Sequence, residues 1–316
     1  MPKVTVAMPV YQGERFLEEA MRSVLDQTMP DLHLVVCDDG STDRSREIAL
    51  KIAQEDNRVK VISQNHGGVS RALNAACRYT SSPYIAILDS DDVALEDRLL
   101  LQCKFLDEHS KCALVGGCAV AIDEVSVPTR LLSRPNKKTG LSQSSMLDSN
   151  GIIHSTVMMR RSAYEAVGGY RTLRNRGAED YDLWLRICKE HEIDNLTSIL
   201  SGYRIHMNQD SFAYLPSQLL SSRDVREDAR HALRGGGDQI CSAINPEGSS
   251  LENMGDEFYR DVVKAYLDYA DLYLDLRKPE WIALALSNAE RYAERCEAKD
   301  IVELWRLENH YEMTSN

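Results

Sequence analysis

The chain has 316 residues, 43% of them hydrophobic and 27% charged, a balance that supports one large buried core with a smaller second unit and excludes a disordered or fibrous protein. A formal net charge of -12, with no run of Lys or Arg long enough to form a tail, leaves no cationic surplus for nucleic-acid phosphates and sets nucleic acid aside as a partner. Eight cysteines are scattered singly without a Cys-x-x-Cys pair, most in apolar surroundings where a reduced thiol packs as a small hydrophobe, which points to a reducing cytoplasm.

The N-terminus passes directly from Met1-Pro2-Lys3 into a strand-like run, without the apolar stretch of a signal peptide. No window approaches the roughly 18 apolar residues of a membrane helix. A soluble chain is expected, with peripheral docking at the inner face of a membrane left open. Short apolar, β-branched runs at residues 4–8, 32–37, 59–62 and 84–88 read as strands. Between them Phe16, Leu17, Ala20, Met21, Val24 and Leu25 recur at helical spacing, as do Ile48, Ala49, Ile52 and Ala53. Four βα units in series predict an α/β fold with a mainly parallel, doubly wound, Rossmann-like sheet.

Ligands of such sheets bind beyond the carboxyl ends of the strands. The polar residues gather there: Pro9-Val10-Tyr11-Gln12 after the first strand, Asp38-Asp39-Gly40-Ser41-Thr42-Asp43 after the second, Asn65-His66-Gly67-Gly68 after the third and Asp89-Ser90-Asp91-Asp92 after the fourth. Four loops on one edge outline one site.

Farther on, residues 113–122 and 152–159 read as strands and 181–191 as a helix, while the polar stretch 127–149 receives no element. From about residue 215 the sequence becomes charged and helical, interrupted by Gly235-Gly236-Gly237 and Pro246-Glu247-Gly248, which read as a linker. Residues 258–276 and 281–296 form amphipathic helices joined at Lys278-Pro279, with a third from Asp300. The expected division is a catalytic domain at 1–215 and a helical appendage at 216–316. Tyr266, Tyr269 and Tyr273 with Leu272 and Leu276 would form its core or a self-association face.

Three carboxylates within four residues, at Asp89, Asp91 and Asp92, repel one another unless a cation or good solvation relieves them. The segment fits a turn that caps the next helix, or a hard-oxygen site for Mn2+ or Mg2+, ions that keep waters and bridge to substrate phosphates. In the second loop Ser41, Thr42 or Asp43 can cap a helix. Asp38 and Asp39 precede the cap, where a carboxylate can accept from a base N–H or a ribose hydroxyl; a plain turn with its cap fits as well.

These four loops, extended through Val69-Ser70-Arg71-Ala72-Leu73-Asn74, resemble the nucleotide-sugar-dependent family 2 glycosyltransferases of GT-A fold. Gly168-Gly169-Tyr170-Arg171 and Glu179-Asp180-Tyr181-Asp182-Leu183-Trp184-Leu185-Arg186 resemble that family's acceptor-side motifs, so the likeness spans residues 3–210. It implies a metal-dependent, inverting enzyme that moves a sugar from a nucleoside diphosphate, uridine diphosphate by family frequency, to a hydroxyl of a carbohydrate or lipid-linked acceptor in glycan or surface-polysaccharide assembly. Carried over by position, Asp39 binds the base and Asp89 the ribose. Pro9, Tyr11, Asp38, Asn65, Gly68 and Ser90 line the donor, and Arg71 lies near the diphosphate or sugar. Asp91 takes the metal, Asp180 is the catalytic base, and Glu179 and Trp184 shape the acceptor side. His206 completes the metal site, contacts the diphosphate or is structural, and His154 fits a site residue or a satisfied core histidine. A sugar nucleotidyltransferase would carry an early Gly- and Arg-rich phosphate loop where this chain has Val10-Tyr11-Gln12-Gly13-Glu14; against a non-catalytic nucleotide-binding scaffold stand Asp91 and Asp180. Self-association through the C-terminal helices is a further expectation.

Overall fold

The structure, a computed structural model, describes residues 2–132, 141–173, 175–234, 251 and 254–309. The chain forms two compact units, Met1–Thr172 with Glu179–Arg204, and Leu173–Ala178 with Ile205–Asn316.

The first unit is built on one mixed sheet. Strands β1 (Val4–Val10), β2 (Leu32–Asp38), β3 (Val59–Ser63) and β4 (Tyr84–Ile87) run parallel in the order β3-β2-β1-β4. All seven residues of β1 are buried, as a parallel strand covered on both faces requires. Helices α1 (Leu17–Leu25), α2 (Ser45–Glu55) and α3 (Val69–Arg78) connect these strands. Leu17, Ala20, Met21 and Val24 of α1 are buried in the core cluster with Val4, Val6, Met8 and Val10 of β1 and Leu32, Leu34 and Val36 of β2, so the helical spacing read in the sequence is the packing face.

Beyond β4 the sheet continues through β8 (Met158–Arg160), β6 (Cys112–Ile122), β9 (Glu192–Arg204) and β5 (Val93–Ala94), with β7 (Pro128–Leu132) paired to β6. Here it turns mixed: β4–β8 and β6–β8 are antiparallel, β6–β9 parallel. The strand expected over 152–159 is instead a 3-10 turn, His154–Thr156, followed by the three residues of β8. The cause is local: Thr156 Oγ1 donates to Ile153 O at 2.7 Å and accepts from Gly117 N–H at 3.1 Å, side-chain bonds that compete with a strand ladder. The long strand β9 was not read in the sequence beyond its last residues. The polar stretch 127–149 contains β7 and the short helix α5 (Gln143–Asp148); its residues 133–140 lie outside the described residues, as do the Gly235-Gly236-Gly237 and Pro246-Glu247-Gly248 segments. Helices α4 (Arg98–Glu108), α6 (Arg161–Ala166) and α7 (Glu179–Glu190) complete this unit.

The second unit is helical: α8 (Asp210–Ala213), α9 (Leu215–Leu233), α10 (Asp256–Asp275), α11 (Pro279–Ala293) and α12 (Lys299–Glu308). Tyr266, Leu272 and Tyr273 are buried, and Tyr273 meets Trp281 edge-on at 5.5 Å between ring centroids. These residues are core. The segment Leu173–Ala178 is tied to α9 by Ser221 Oγ, which donates to Asn175 O at 2.8 Å. No helix among the described residues is long and apolar enough to cross a membrane.

Candidate active site

The first three loops are knitted together before any ligand arrives. Pro9 lies within β1 beside Cys37, and Asp39 N–H donates to Val10 O at 2.9 Å. Gln12, held at a left-handed φ of 53°, reaches across to accept from Thr42 N–H (2.7 Å) and Asp43 N–H (3.2 Å). A side chain in that backbone region is strained, and the two N–H groups it satisfies offset that strain. Asp38 Oδ1 accepts from Ser41 N–H at 3.0 Å. Asp39 is almost fully buried: its Oδ1 accepts from Gly67 N–H (2.9 Å) and Gln64 Nε2 (2.6 Å), its Oδ2 from Gly68 N–H (2.8 Å), with His66 Nδ1 3.0 Å away. Above it the half-exposed Tyr11 ring stacks on His66, centroids 4.2 Å apart. A Cβ on Gly40 would approach His66 N to 2.9 Å, and its φ of +79° favours glycine in any case.

Arg71 on α3 folds back over Gly67, since a Cβ there would fall 2.6 Å from Nη1. Asn65 is exposed on the same loop. The first and fourth loops meet at Gly13, whose added Cβ would come within 3.3 Å of Ser90 Oγ.

The three carboxylates of the fourth loop have separate environments. Asp89 accepts from Ser155 Oγ at 2.8 Å and pairs with His154 Nδ1 at 3.0 Å. Burial would raise its pKa, but the attraction and hydrogen bond of His154, with that of Ser155, outweigh burial and hold it below the usual carboxylate range. Burial likewise opposes charge on His154, but Asp89, with Asp180 and Asp92 farther off, pushes it up to about 9. Asp92 goes the other way: burial, then the charges of Asp91 and Asp89, raise it well above the ordinary value. Its Oδ1 accepts from Arg204 N–H at 2.8 Å, and its Oδ2 is buried without a hydrogen-bond partner among the described residues. The repulsion expected from the sequence is relieved in part by the pairing of Asp89 with His154, while burial and the neighbouring carboxylates disfavour charge on Asp92. Asp91 is only partly buried. A partly exposed carboxylate beside an unsatisfied buried oxygen is a hard-donor set that fits Mn2+ or Mg2+. Among the described residues no three His, Cys, Asp or Glu side chains cluster to hold an ion.

Across from this loop, Asp180 opens α7. Its Oδ1 accepts from Tyr181 N–H at 2.7 Å and its Oδ2 from Asn150 Nδ2 at 3.1 Å. Burial raises its pKa; His154 and these two bonds pull it back in part. His154 Nε2 lies 3.1 Å from Tyr170 Oη, so one imidazole joins Asp89 to the turn at Tyr170. That turn is anchored on α3, where Asn74 Oδ1 accepts from Tyr170 N–H (2.9 Å), Asn74 Nδ2 donates to Tyr170 O (2.8 Å) and Ser70 Oγ donates to Arg171 O (2.9 Å). Arg186, paired with Asp182 at 2.5 Å, donates to Val167 O and Gly169 O, both at 2.8 Å. Trp184 is fully buried, 6.2 Å from the His154 ring and 6.3 Å from that of Tyr170. Glu179 stands beside Asp180 in the first turn of α7. His206 belongs to the second unit, where its N–H donates to Gln209 Oε1 at 2.9 Å.

The structure therefore gathers Asp39, Ser90, Asp89, Asp91, Asp180 and His154 in the first unit. Gln64 and Asn150, which bond Asp39 and Asp180, and Gln12, which bonds the second loop at Thr42 and Asp43, were not singled out from the sequence. A polar side chain in a loop carries no signal of its own until its partners are known.

Residues 5–168, which run from β1 to the acceptor-side glycines, match the family described as "Glycosyl transferase family 2". The chain belongs to that family. Among its relatives is the O-antigen biosynthesis glycosyltransferase WbnJ of Escherichia coli, 31% identical over 230 residues, 71% of this chain and 88% of WbnJ. Another is the Escherichia coli enzyme WfgD, a UDP-Glc:alpha-D-GlcNAc-diphosphoundecaprenol beta-1,3-glucosyltransferase, 30% identical over 211 residues, 66% of this chain and 79% of WfgD. The fold is that of the mannosyltransferase PcManGT from Pyrobaculum calidifontis, solved with GDP-Man and Mn2+, at 18% identity and a TM-score of 0.58 over 99% of this chain and 88% of that one. The family 2 chain is thus a glycosyltransferase with a GT-A fold, and its relatives serve polysaccharide and O-antigen assembly.

Proposed function

We propose that this family 2 enzyme transfers a sugar with inversion from a uridine-diphosphate donor to a hydroxyl of a carbohydrate or lipid-linked acceptor in surface-polysaccharide assembly, at the face of a membrane. The observation that supports this reading is that Asp180, fixed by Asn150 and Tyr181 N–H, and Asp89, paired with His154, both act on the charge of the same imidazole. One side of the site holds a donor and the other a proton acceptor. Uridine is favoured because WfgD, a closer relative by identity than the GDP-mannose-bound structure, uses UDP-Glc.

In this reading the base stacks on the Tyr11–His66 pair and bonds Asp39, the ribose bonds Asp89, and Arg71 supports the diphosphate. Asp91 would hold the divalent cation, which supplies Lewis-acid stabilisation of the leaving diphosphate. Asp180 takes the acceptor proton as the hydroxyl attacks, a contribution of about 10² to 10⁴ in rate. The catalytic domain is taken as residues 1–215, and the helices of 216–316 as an extension through which the chain self-associates, which sedimentation would test.

Thermal-shift titration against nucleoside diphosphates, with and without Mn2+, tests the donor half, because a ligand of the native state raises stability with its affinity. UDP should stabilise the chain far more with Mn2+ than without it, and Asp91→Ala should abolish the added gain. Asp180→Asn should keep that gain while losing about 10²-fold or more in turnover. A chain that no nucleotide stabilises ends the donor reading, and undiminished turnover in Asp180→Asn ends the assignment of the base.

A further inference from the structure

Arg204 ends β9, and its side chain is fully buried. Burying a guanidinium requires its N–H groups to be matched, and the partners here are specific. Nε donates to Asp91 O at 2.7 Å. One terminal nitrogen donates to Asp123 O (2.9 Å) and Ser126 Oγ (3.0 Å), the other to Glu19 Oε2 on α1 at 2.7 Å. The group lies 4.7 Å from the centroid of the Phe16 ring. The backbone N–H of Arg204 holds Asp92 Oδ1.

The effect on the fourth loop follows from the geometry. Residues 89–92 form a turn closed by Asp92 N–H donating to Asp89 O at 3.2 Å. Within it the peptide oxygen of Asp91 is fixed by the guanidinium and the next side chain by the Arg204 N–H. With the peptide after Asp91 fixed in plane and its neighbour pinned, the Asp91 Cα–Cβ bond has little freedom left, so its carboxylate swings from a fixed root through χ1 and χ2 alone. Asp91 thus takes its aim from a residue 113 positions away in sequence.

We propose that Arg204 is a positioning residue for the cation-binding carboxylate, with Glu19 as its remote anchor. This rests on the proposed role of Asp91. Lysine cannot replace the group, because a single ammonium lacks the planar fork that spans Asp91, Asp123 and Glu19. Partners of this kind, one bond removed from a metal ligand, are worth about 10- to 100-fold in metal affinity.

The test is calorimetric titration of the full chain with Mn2+ in the presence of UDP, alongside titration with UDP alone in a chelator. Arg204→Lys should need about tenfold more Mn2+, and Glu19→Gln, whose partly exposed side chain makes misfolding less of a concern, should need more Mn2+ than wild type by a smaller factor. Metal-free UDP affinity and the far-ultraviolet spectrum should stay at wild-type values in both. If Arg204→Lys does not fold, Glu19→Gln decides. Wild-type Mn2+ affinity in the folded variants overturns the proposal, as does an equal loss of metal-free UDP affinity, which would mean general loosening. A wild-type chain whose UDP binding ignores Mn2+ overturns the metal reading of Asp91 and this inference with it.

Discussion

The pair of His154 with Asp89 makes stability depend on pH in a definite direction. The imidazole is raised from 6.5 to about 9 in the folded chain, so its contribution is complete below about pH 6.5 and is lost as pH rises through 9. On the acid side Asp89, held below its ordinary value, contributes above the usual carboxylate range and loses its share as pH falls through the folded value. Thermal midpoints should therefore fall between pH 6.5 and 9.5 in the wild type and show a flatter alkaline limb in His154→Gln. A wild-type midpoint unchanged across that window would show that the imidazole is not held charged by Asp89. The sequence left His154 balanced between a site residue and a core histidine; its role depends on a carboxylate 65 positions earlier, a pairing that spacing alone does not reveal.

Among the elements, α3 is the one that ties the two halves of the site together. Its outer residue Arg71 folds back over Gly67, while Asn74, one turn on, holds Tyr170 through both N–H and C=O and accepts from Tyr164 Oη at 2.6 Å. Gly169 is required beside it: φ is +75°, and a Cβ would come 2.7 Å from Asn74 Oδ1. Asn74→Ala leaves buried backbone groups of Tyr170 unmatched and should cost about 1–3 kcal/mol in chemical denaturation. An unchanged unfolding midpoint would show that the turn stands without α3. The strands β1 to β4 were legible because runs of Val, Ile and Leu bounded by polar loops have one reading in a parallel sheet. The 3-10 turn at His154 and the length of β9 were not, since the first is set by side-chain bonds of Thr156 to backbone groups and the second by pairing with β6 over alternately buried and exposed residues.

At the scale of the whole chain, the four loop motifs outlined the candidate site, because their carboxylates and glycines fall at strand ends that the topology brings to one edge. What holds those carboxylates was hidden, since Arg204, Asn150 and Gln64 are distant in sequence from the groups they serve. The electrostatics of the fourth loop reach the bulk behaviour of the molecule as well. The formal charge of -12 counts every carboxylate as ionised and every histidine as neutral. A His154 pushed up to about 9 leaves the native chain one unit less negative than that at pH 7. A glutamine at position 154 removes that charge from the native chain alone, so native His154→Gln should run ahead of the wild type toward the anode at about pH 8 and rejoin it after denaturation, when the imidazole returns to its ordinary value of about 6.5 and is neutral.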